Sequence, residues 1–360
     1  MNLKKKFNNK TVIVTGHTGF KGSWISLWLS ILGAKVIGIS INNPKGLTHF
    51  KAINLQSKIK NIKIDIRNLQ LLKKVFKKYK PDYVFHLAAQ ALVKKSYSDP
   101  IYTWTTNTIG TLNVLESLRG LNKKCIAIII TSDKSYKNTE IKRGYKENDT
   151  LGGKDPYSAS KGAAEFVIQS YISSFFKLKT TKVLIGIARA GNVIGGGDWS
   201  EDRLIPDCMK SWSKNKKVLL RNPNSTRPWQ HVLEAIGGYL NLAINLEKNA
   251  KLHGEVFNFG PNDKKVYKVL SLVQLMKKYW NKVSWKIEVK NKNTFYESNL
   301  LKLNINKAKI KLNWKSILTF QETINMVTIW YKNYYLNPKK IYKTSFDQIK
   351  YYEKLLHKRK

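Results

Sequence analysis

Thr11-Val12-Ile13-Val14-Thr15-Gly16-His17-Thr18-Gly19-Phe20-Lys21-Gly22 is the stretch on which the fold turns. Its first five residues are β-branched and read as a strand. Over residues 20–32 apolar side chains recur at helical spacing, and the pattern stops at Gly33. Between strand and helix the glycines fall at every third position. Gly16 permits the tight turn, Gly19 lets backbone approach a pyrophosphate, and Gly22 allows close packing of helix and strand. Such a turn aims the N–H groups of a helix N-terminus at one point, where a phosphate is favoured.

The same rhythm runs outward from this turn. Further strands are expected at residues 35–39, 61–64, 82–87, 125–131 and 182–188. Helices are expected at 68–79, 102–119 and 156–175. Alternation of this kind makes an α/β fold, a Rossmann-type doubly wound parallel sheet. After about residue 190 the rhythm breaks into Gly- and Pro-rich loops, expected to form a smaller C-terminal α/β substrate lobe. The domain reading is residues 8–188 for the dinucleotide domain, with a returning element near 228–248. Residues 189–335 form the lobe, and 336–360 a basic, aromatic extension that is expected to be helical.

Composition bounds the function. In 360 residues, 42% hydrophobic content supports a folded core. No run of eighteen apolar residues spans a membrane. The basic start has no apolar run behind it, so a cytoplasmic location is expected. Two cysteines, Cys125 and Cys208, make neither a disulfide framework nor a metal site, and no metal is expected. Lys and Arg number 65 against 23 Asp and Glu, a net charge of +42, yet only eight of the cations are Arg. The lysines are spread over the whole length. This reads as a diffuse field that attracts anionic substrates, with no specific nucleic-acid partner.

The candidate chemistry lies in two clusters. Tyr157-Ser158-Ala159-Ser160-Lys161 puts a phenol and an ammonium on one face of a helix. A nearby Lys cation and a nicotinamide cation both favour phenolate and are expected to lower the Tyr157 pKa from about 10 towards neutrality, making it a base for a sugar or alcohol hydroxyl. Ser132-Asp133-Lys134 ends the fifth strand, at the carboxyl edge where such sheets do chemistry. Ser132 can bond the reacting hydroxyl and Asp133 can protonate a leaving one. Lys134 can remove an acidic C–H proton if neutral, or stabilise an enolate if charged. The acidic residue that usually holds a ribose after the second strand is missing from Ser40-Ile41-Asn42-Asn43-Pro44, and no arginine replaces it. Asn42 is the candidate there, with Asp65 and Ile66 facing the adenine.

On these residues the chain resembles the extended short-chain dehydrogenase/reductases. Generic marks are the glycine turn, His86-Leu87-Ala88-Ala89-Gln90, Asn107, and the Tyr157/Lys161 pair. Narrower marks are Gly19-Phe20-Lys21-Gly22-Ser23-Trp24, residues 131–136 and 151–165, Arg189-Ala190-Gly191-Asn192-Val193-Ile194-Gly195-Gly196-Gly197-Asp198-Trp199, and Arg227-Pro228-Trp229-Gln230-His231. These are similar to the branch that dehydrates CDP-glucose. The resemblance covers about residues 8–335. It implies NAD as the cofactor, held also by Thr18, Phe20, Leu87, Ala88, Ala89 and Thr106. It implies CDP-glucose as the substrate, at Ser96, Asn192, Arg203, Leu204, Arg227 and Asn258. It implies C4 oxidation, loss of water across C5–C6, and hydride return to C6. It further implies a homodimer or homotetramer built on the helices near 102–119 and 156–175, and a role in deoxysugar biosynthesis of the lipopolysaccharide O-antigen kind. Asn313 stands where the family usually has Gly.

Two rivals remain at this level. Another sugar-nucleotide enzyme of the superfamily, such as an epimerase, needs no acid/base pair for elimination, so the Ser132–Lys134 triplet argues against it. A non-catalytic dinucleotide sensor or nucleic-acid binder has the +42 charge as its support. It has little use for Tyr157, Lys161, Ser132 and Asp133.

Overall fold

A computed structural model describes residues 2–41, 46–177, 181–201, 203–262, 267–287 and 301–359. Seven strands form one parallel sheet: β1 (Thr11–Thr15), β2 (Lys35–Ser40), β3 (Lys60–Lys63), β4 (Tyr83–His86), β5 (Cys125–Ile130), β6 (Val183–Ala190) and β7 (Val256–Phe259). Their order is β7-β6-β5-β4-β1-β2-β3. The winding of strand order therefore reverses between β1 and β4, and ligands bind outside the carboxyl ends of strands at such a point.

The strands alternate between two buried faces. Val12, Val14, Ile126, Ile128 and Ile130 join one core, whereas Ile13, Ala127 and Ile129 join the other. The helices Leu69–Tyr79, Gly110–Arg119 and Pro156–Tyr171 cover the second face with Leu72, Val75, Val114, Leu118 and Ile168. Local chemistry sets their ends. Asn68 accepts the Leu71 N–H at 3.1 Å, and Lys80 in the left-handed region stops the helix before Pro81. Asp155 accepts the Ser158 N–H at 2.9 Å, and Pro156 opens the helix, so Tyr157 falls in its first turn. Asn313, in the usual Gly position, adopts φ +47° as a helix C-cap, which Asn tolerates.

Two sequence readings shift. The helix expected at 102–119 is Pro100–Trp104 and Gly110–Arg119, joined by a π-turn, Thr105–Ile109. Within this turn the buried Asn107 side chain bonds the Gln90 backbone and Ser160, and such bulges are frequent at functional sites. The return to the sheet reaches beyond 248, because β7 pairs in parallel with β6 after the helix Val232–Lys248. Finally, the extension is helical over most of residues 336–359, and it packs into the body. The helices Phe320–Leu336 and Ile341–Lys358 form a hairpin whose Ile341, Ile349 and Tyr352 are buried in the larger core. Tyr352 donates to Glu234 at 2.8 Å, and the Trp28 indole donates to Glu353 at 2.9 Å.

Candidate active site

The switch point holds a cavity of about 1170 Å³. Its floor is the glycine turn. A Cβ on Gly22 would lie 2.0 Å from the Gly16 carbonyl oxygen, and one on Gly16, at φ +74°, would lie 2.7 Å from the Ala88 nitrogen. No side chain caps the helix that begins at Phe20, so its first-turn N–H groups face the cavity without a side-chain acceptor. Thr15 and His86 bond at 2.7 Å and tie the ends of β1 and β4 together beneath it. Every cofactor position read from the sequence lines this cavity except Asn42, which lies outside the described residues. The cradle suits a dinucleotide: a side chain at either glycine would strike backbone, so only glycine lets the turn close this tightly under a pyrophosphate.

The catalytic candidates meet at the edge of β5. Ser132 donates to Asp133 at 3.1 Å and also bonds the Tyr157 hydroxyl. Tyr157, Lys161 and Asp133 are 8%, 7% and 5% exposed. Burial raises the Asp133 carboxyl, against the charges of Lys134 and Lys21 and the Ser132 bond. A carboxyl that holds its proton longer than usual suits a general acid. Burial, with the charge of Lys21, lowers Lys161 to about 8. In the protein alone, burial raises the Tyr157 hydroxyl, against the neighbouring Ser132 and Arg203; the nicotinamide cation that would favour phenolate belongs to the bound cofactor. Lys134 is half-buried, in a turn that Ser132 caps by accepting the Lys134 N–H at 3.2 Å.

Two devices keep the clusters together. Asn107 donates to Ser160 at 2.9 Å, and Ser160 donates to the Tyr157 carbonyl at 2.7 Å. Glu165, one turn beyond Lys161, accepts Thr131 at 2.7 Å and pairs with both nitrogens of the buried Arg189 fork. Helix, β5 and β6 are thereby locked around Ser132.

The substrate positions divide. Arg203 lines the cavity with Ser200, and Leu204 opens the helix Leu204–Ser213. Arg227 lies half-buried on the short strand Thr226–Arg227. Asn192 is exposed, with its carbonyl accepting from Gln230. Two others do not line the cavity. The Ser96 hydroxyl is turned back onto the Val93 carbonyl at 2.6 Å. Asn258 is 0% exposed and committed, accepting Tyr136 at 2.8 Å and donating to the Tyr145 carbonyl at 2.9 Å. The register of β7 on β6 sends it into the interior.

Sequence reading gave Lys21 no role, yet it lines the cavity within charge range of Asp133 and Lys161. Burial lowers its ammonium to about 8. The available signal was its place in a first helical turn, where a cation opposes the helix dipole and calls for an anion.

The family described as GDP-mannose 4,6 dehydratase matches residues 13–327. The chain is 42% identical to CDP-glucose 4,6-dehydratase of Salmonella typhimurium over 91% of this chain and 92% of that one. It is 26% identical to dTDP-D-glucose 4,6-dehydratase of Dictyostelium discoideum, covering 94% and 86%. Among solved structures, UDP-glucose 4-epimerase of Thermotoga maritima with UDP-glucose superposes with TM-score 0.75 at 22% identity, covering 90% and 99%. UDP-glucose 4-epimerase of Brucella ovis in complex with NAD gives 0.74 at 20%, covering 89% and 98%. These two share the fold.

Proposed function

The chain belongs to the GDP-mannose 4,6 dehydratase family, and from that premise we infer that it converts CDP-D-glucose to CDP-4-dehydro-6-deoxy-D-glucose and water. The observation that carries the reading is the buried row Tyr157–Ser132–Asp133 beside Lys161 at the mouth of the glycine cradle. The glycine turn, with Asp65, Ile66 and Leu87–Ala89, would hold NAD, which would supply the hydride acceptor for C4 and the hydride donor for C6. Tyr157 takes the C4 hydroxyl proton, with Ser132 orienting that hydroxyl. The 4-ketone acidifies C5–H, so a base removes that proton as the C5–C6 double bond forms. Asp133 delivers a proton to the departing C6 hydroxyl, which leaves as water. Lys134 is the candidate for the C5 base, and the same group returns the proton to C5 as the hydride adds to C6.

An epimerase has no leaving hydroxyl to protonate, so a buried carboxyl beside the tyrosine, its pKa raised by burial, favours elimination. Arg203 and Arg227 are the anchors for the diphosphate, because a guanidinium pairs bidentately with phosphate. The enzyme works as a dimer or larger, through the helices Gly110–Arg119 and Pro156–Tyr171. Exposed Tyr97, Ile101, Trp104 and Phe166 lie on these helices and on the short ones before them. Among the described residues no helix is long and apolar enough to cross a membrane. We place the enzyme in the cytoplasm, where its free, buried Cys125 and Cys208 stay reduced. Its product suits deoxysugar synthesis of the O-antigen kind.

The test is a single-turnover experiment with CDP-glucose, following enzyme-bound NADH and sugar-nucleotide mass. The native enzyme should give a product lighter by one water. Asp133→Asn should accumulate NADH while elimination slows by about 10²–10⁴-fold. Tyr157→Phe should form no NADH. An isomer of unchanged mass, or NADH in Tyr157→Phe but not in Asp133→Asn, would overturn the reading.

A further inference from the structure

Arg203 reaches the cavity on a side chain that is 40% exposed. A long exposed guanidinium contributes little unless something holds it in place beforehand. The holder is Asp198, whose side chain is 6% exposed and meets Arg203 at 3.1 Å. Its other oxygen accepts the Ser200 N–H at 3.1 Å and the Ser200 hydroxyl at 2.6 Å. The direction of Arg203 is thus set by where Asp198 sits.

Asp198 in turn sits on the C-terminal hairpin. The buried Tyr331 hydroxyl donates to the Asp198 carbonyl. The Trp199 indole donates to Tyr335 at 3.2 Å and meets the rings of Trp330, Tyr331 and Tyr334 at 5.6, 5.7 and 4.8 Å. The glycines before it lie flat on the same platform. A Cβ on Gly196 would stand 2.0 Å from Trp330 Cγ, and one on Gly197, at φ +82°, 2.5 Å from His49 Cβ. His49 is itself held to the hairpin, 3.1 Å from Ser345, which also accepts the Trp330 indole at 2.8 Å. A phenylalanine at 331 would fill the same space. The hydroxyl adds one thing, a donor aimed at the loop that carries the anchor.

We propose that Tyr331 is a positioning residue for nucleotide-sugar binding, through which the C-terminal hairpin holds Asp198 and so presets Arg203 for the diphosphate. This rests on the CDP-glucose reading above. Its signature is a binding defect that depends on Arg203, which a purely structural role would not produce.

The experiment is a double-mutant cycle of Tyr331→Phe with Arg203→Ala, using calorimetric titration with CDP and steady-state kinetics with CDP-glucose. Tyr331→Phe alone should weaken CDP binding and raise KM about 5–20-fold, the range of one lost hydrogen bond to a preset group, with kcat within about twofold. In the Arg203→Ala background the same change should alter CDP affinity by less than about twofold. Tyr335→Phe removes the acceptor of the Trp199 indole, and its smaller loss should show the same dependence. Equal losses in both backgrounds, or unchanged CDP affinity with only a lower melting temperature, overturn the proposal. A native chain that binds CDP without dehydrating CDP-glucose defeats the functional reading alone. One that does not bind CDP defeats both.

Discussion

The two faces of the sheet are built from different materials. Under Leu69–Tyr79, Gly110–Arg119 and Pro156–Tyr171 the core is almost wholly Ile, Val and Leu, with Phe76 and Phe176 as its buried rings. The opposite face buries Trp24, Trp28, Trp212, Trp330, Tyr239, Tyr331 and Tyr352. Its partners are distant in sequence, as with Trp28 and Glu353, 325 residues apart, or His49 and Ser345, 296 apart. Aliphatic side chains have only area to offer, and they hold helices to strands. Tyr and Trp bring area and a donor, so they also hold loop carbonyls, as at Gly196 and Asp198. The face that must shape a binding edge is the one made of rings.

The strongest challenge to this contrast is Trp330→Ala. It empties a large fully buried site and should cost about 3–5 kcal/mol in denaturant unfolding. It should also raise KM for CDP-glucose, because Gly196 and Trp199 lose their platform. A loss below about 1.5 kcal/mol would mean that the aromatic face is loosely packed, and the contrast would fail.

Next comes Glu234, on the aromatic face, which accepts the Ile317 and Leu318 N–H groups at 2.8 and 2.6 Å and the Tyr352 hydroxyl. Burial raises it to about 7 against these bonds. The folded protein therefore keeps this proton to a higher pH than the unfolded chain, where Glu titrates near about 4.3. Its contribution is complete below that value and is lost as pH rises through about 7. Native stability relative to Glu234→Gln should fall by about 3 kcal/mol between about pH 4 and pH 8, read by urea unfolding at each pH. A difference that grows with pH would show the carboxylate to be the favoured form, and the aromatic face to be wetter than it looks.

The smallest effect sharpens the other side. Ile185→Val removes one methylene from the aliphatic core and should cost about 0.5–1.5 kcal/mol. KM and kcat should stay within about twofold of native. A change in KM would show that the aliphatic face also shapes the site.

The sequence by itself determined what depends on neighbours along the chain. The β1–turn–helix unit was legible because period and glycine spacing are local, and the residues it offered to a cofactor line one cavity. Tyr157 and Lys161 share a face because a helix has 3.6 residues per turn. Ser132 and Asp133 stand at the edge because β5 ends there. What only the tertiary structure decided depends on segments far apart. Asn258 is bonded to Tyr136 and Tyr145, partners 122 and 113 residues away. The burial that raises Tyr157 in the protein alone comes from elements that no local period brings to it. Residues 336–360 were unreadable because their meaning lies in Trp28, His49 and Glu234, which no period along the chain connects to them. Periodicity reports which way a side chain points from its own helix or strand. Burial and partners are set by whatever the rest of the chain places there, and that is fixed only when the faces close.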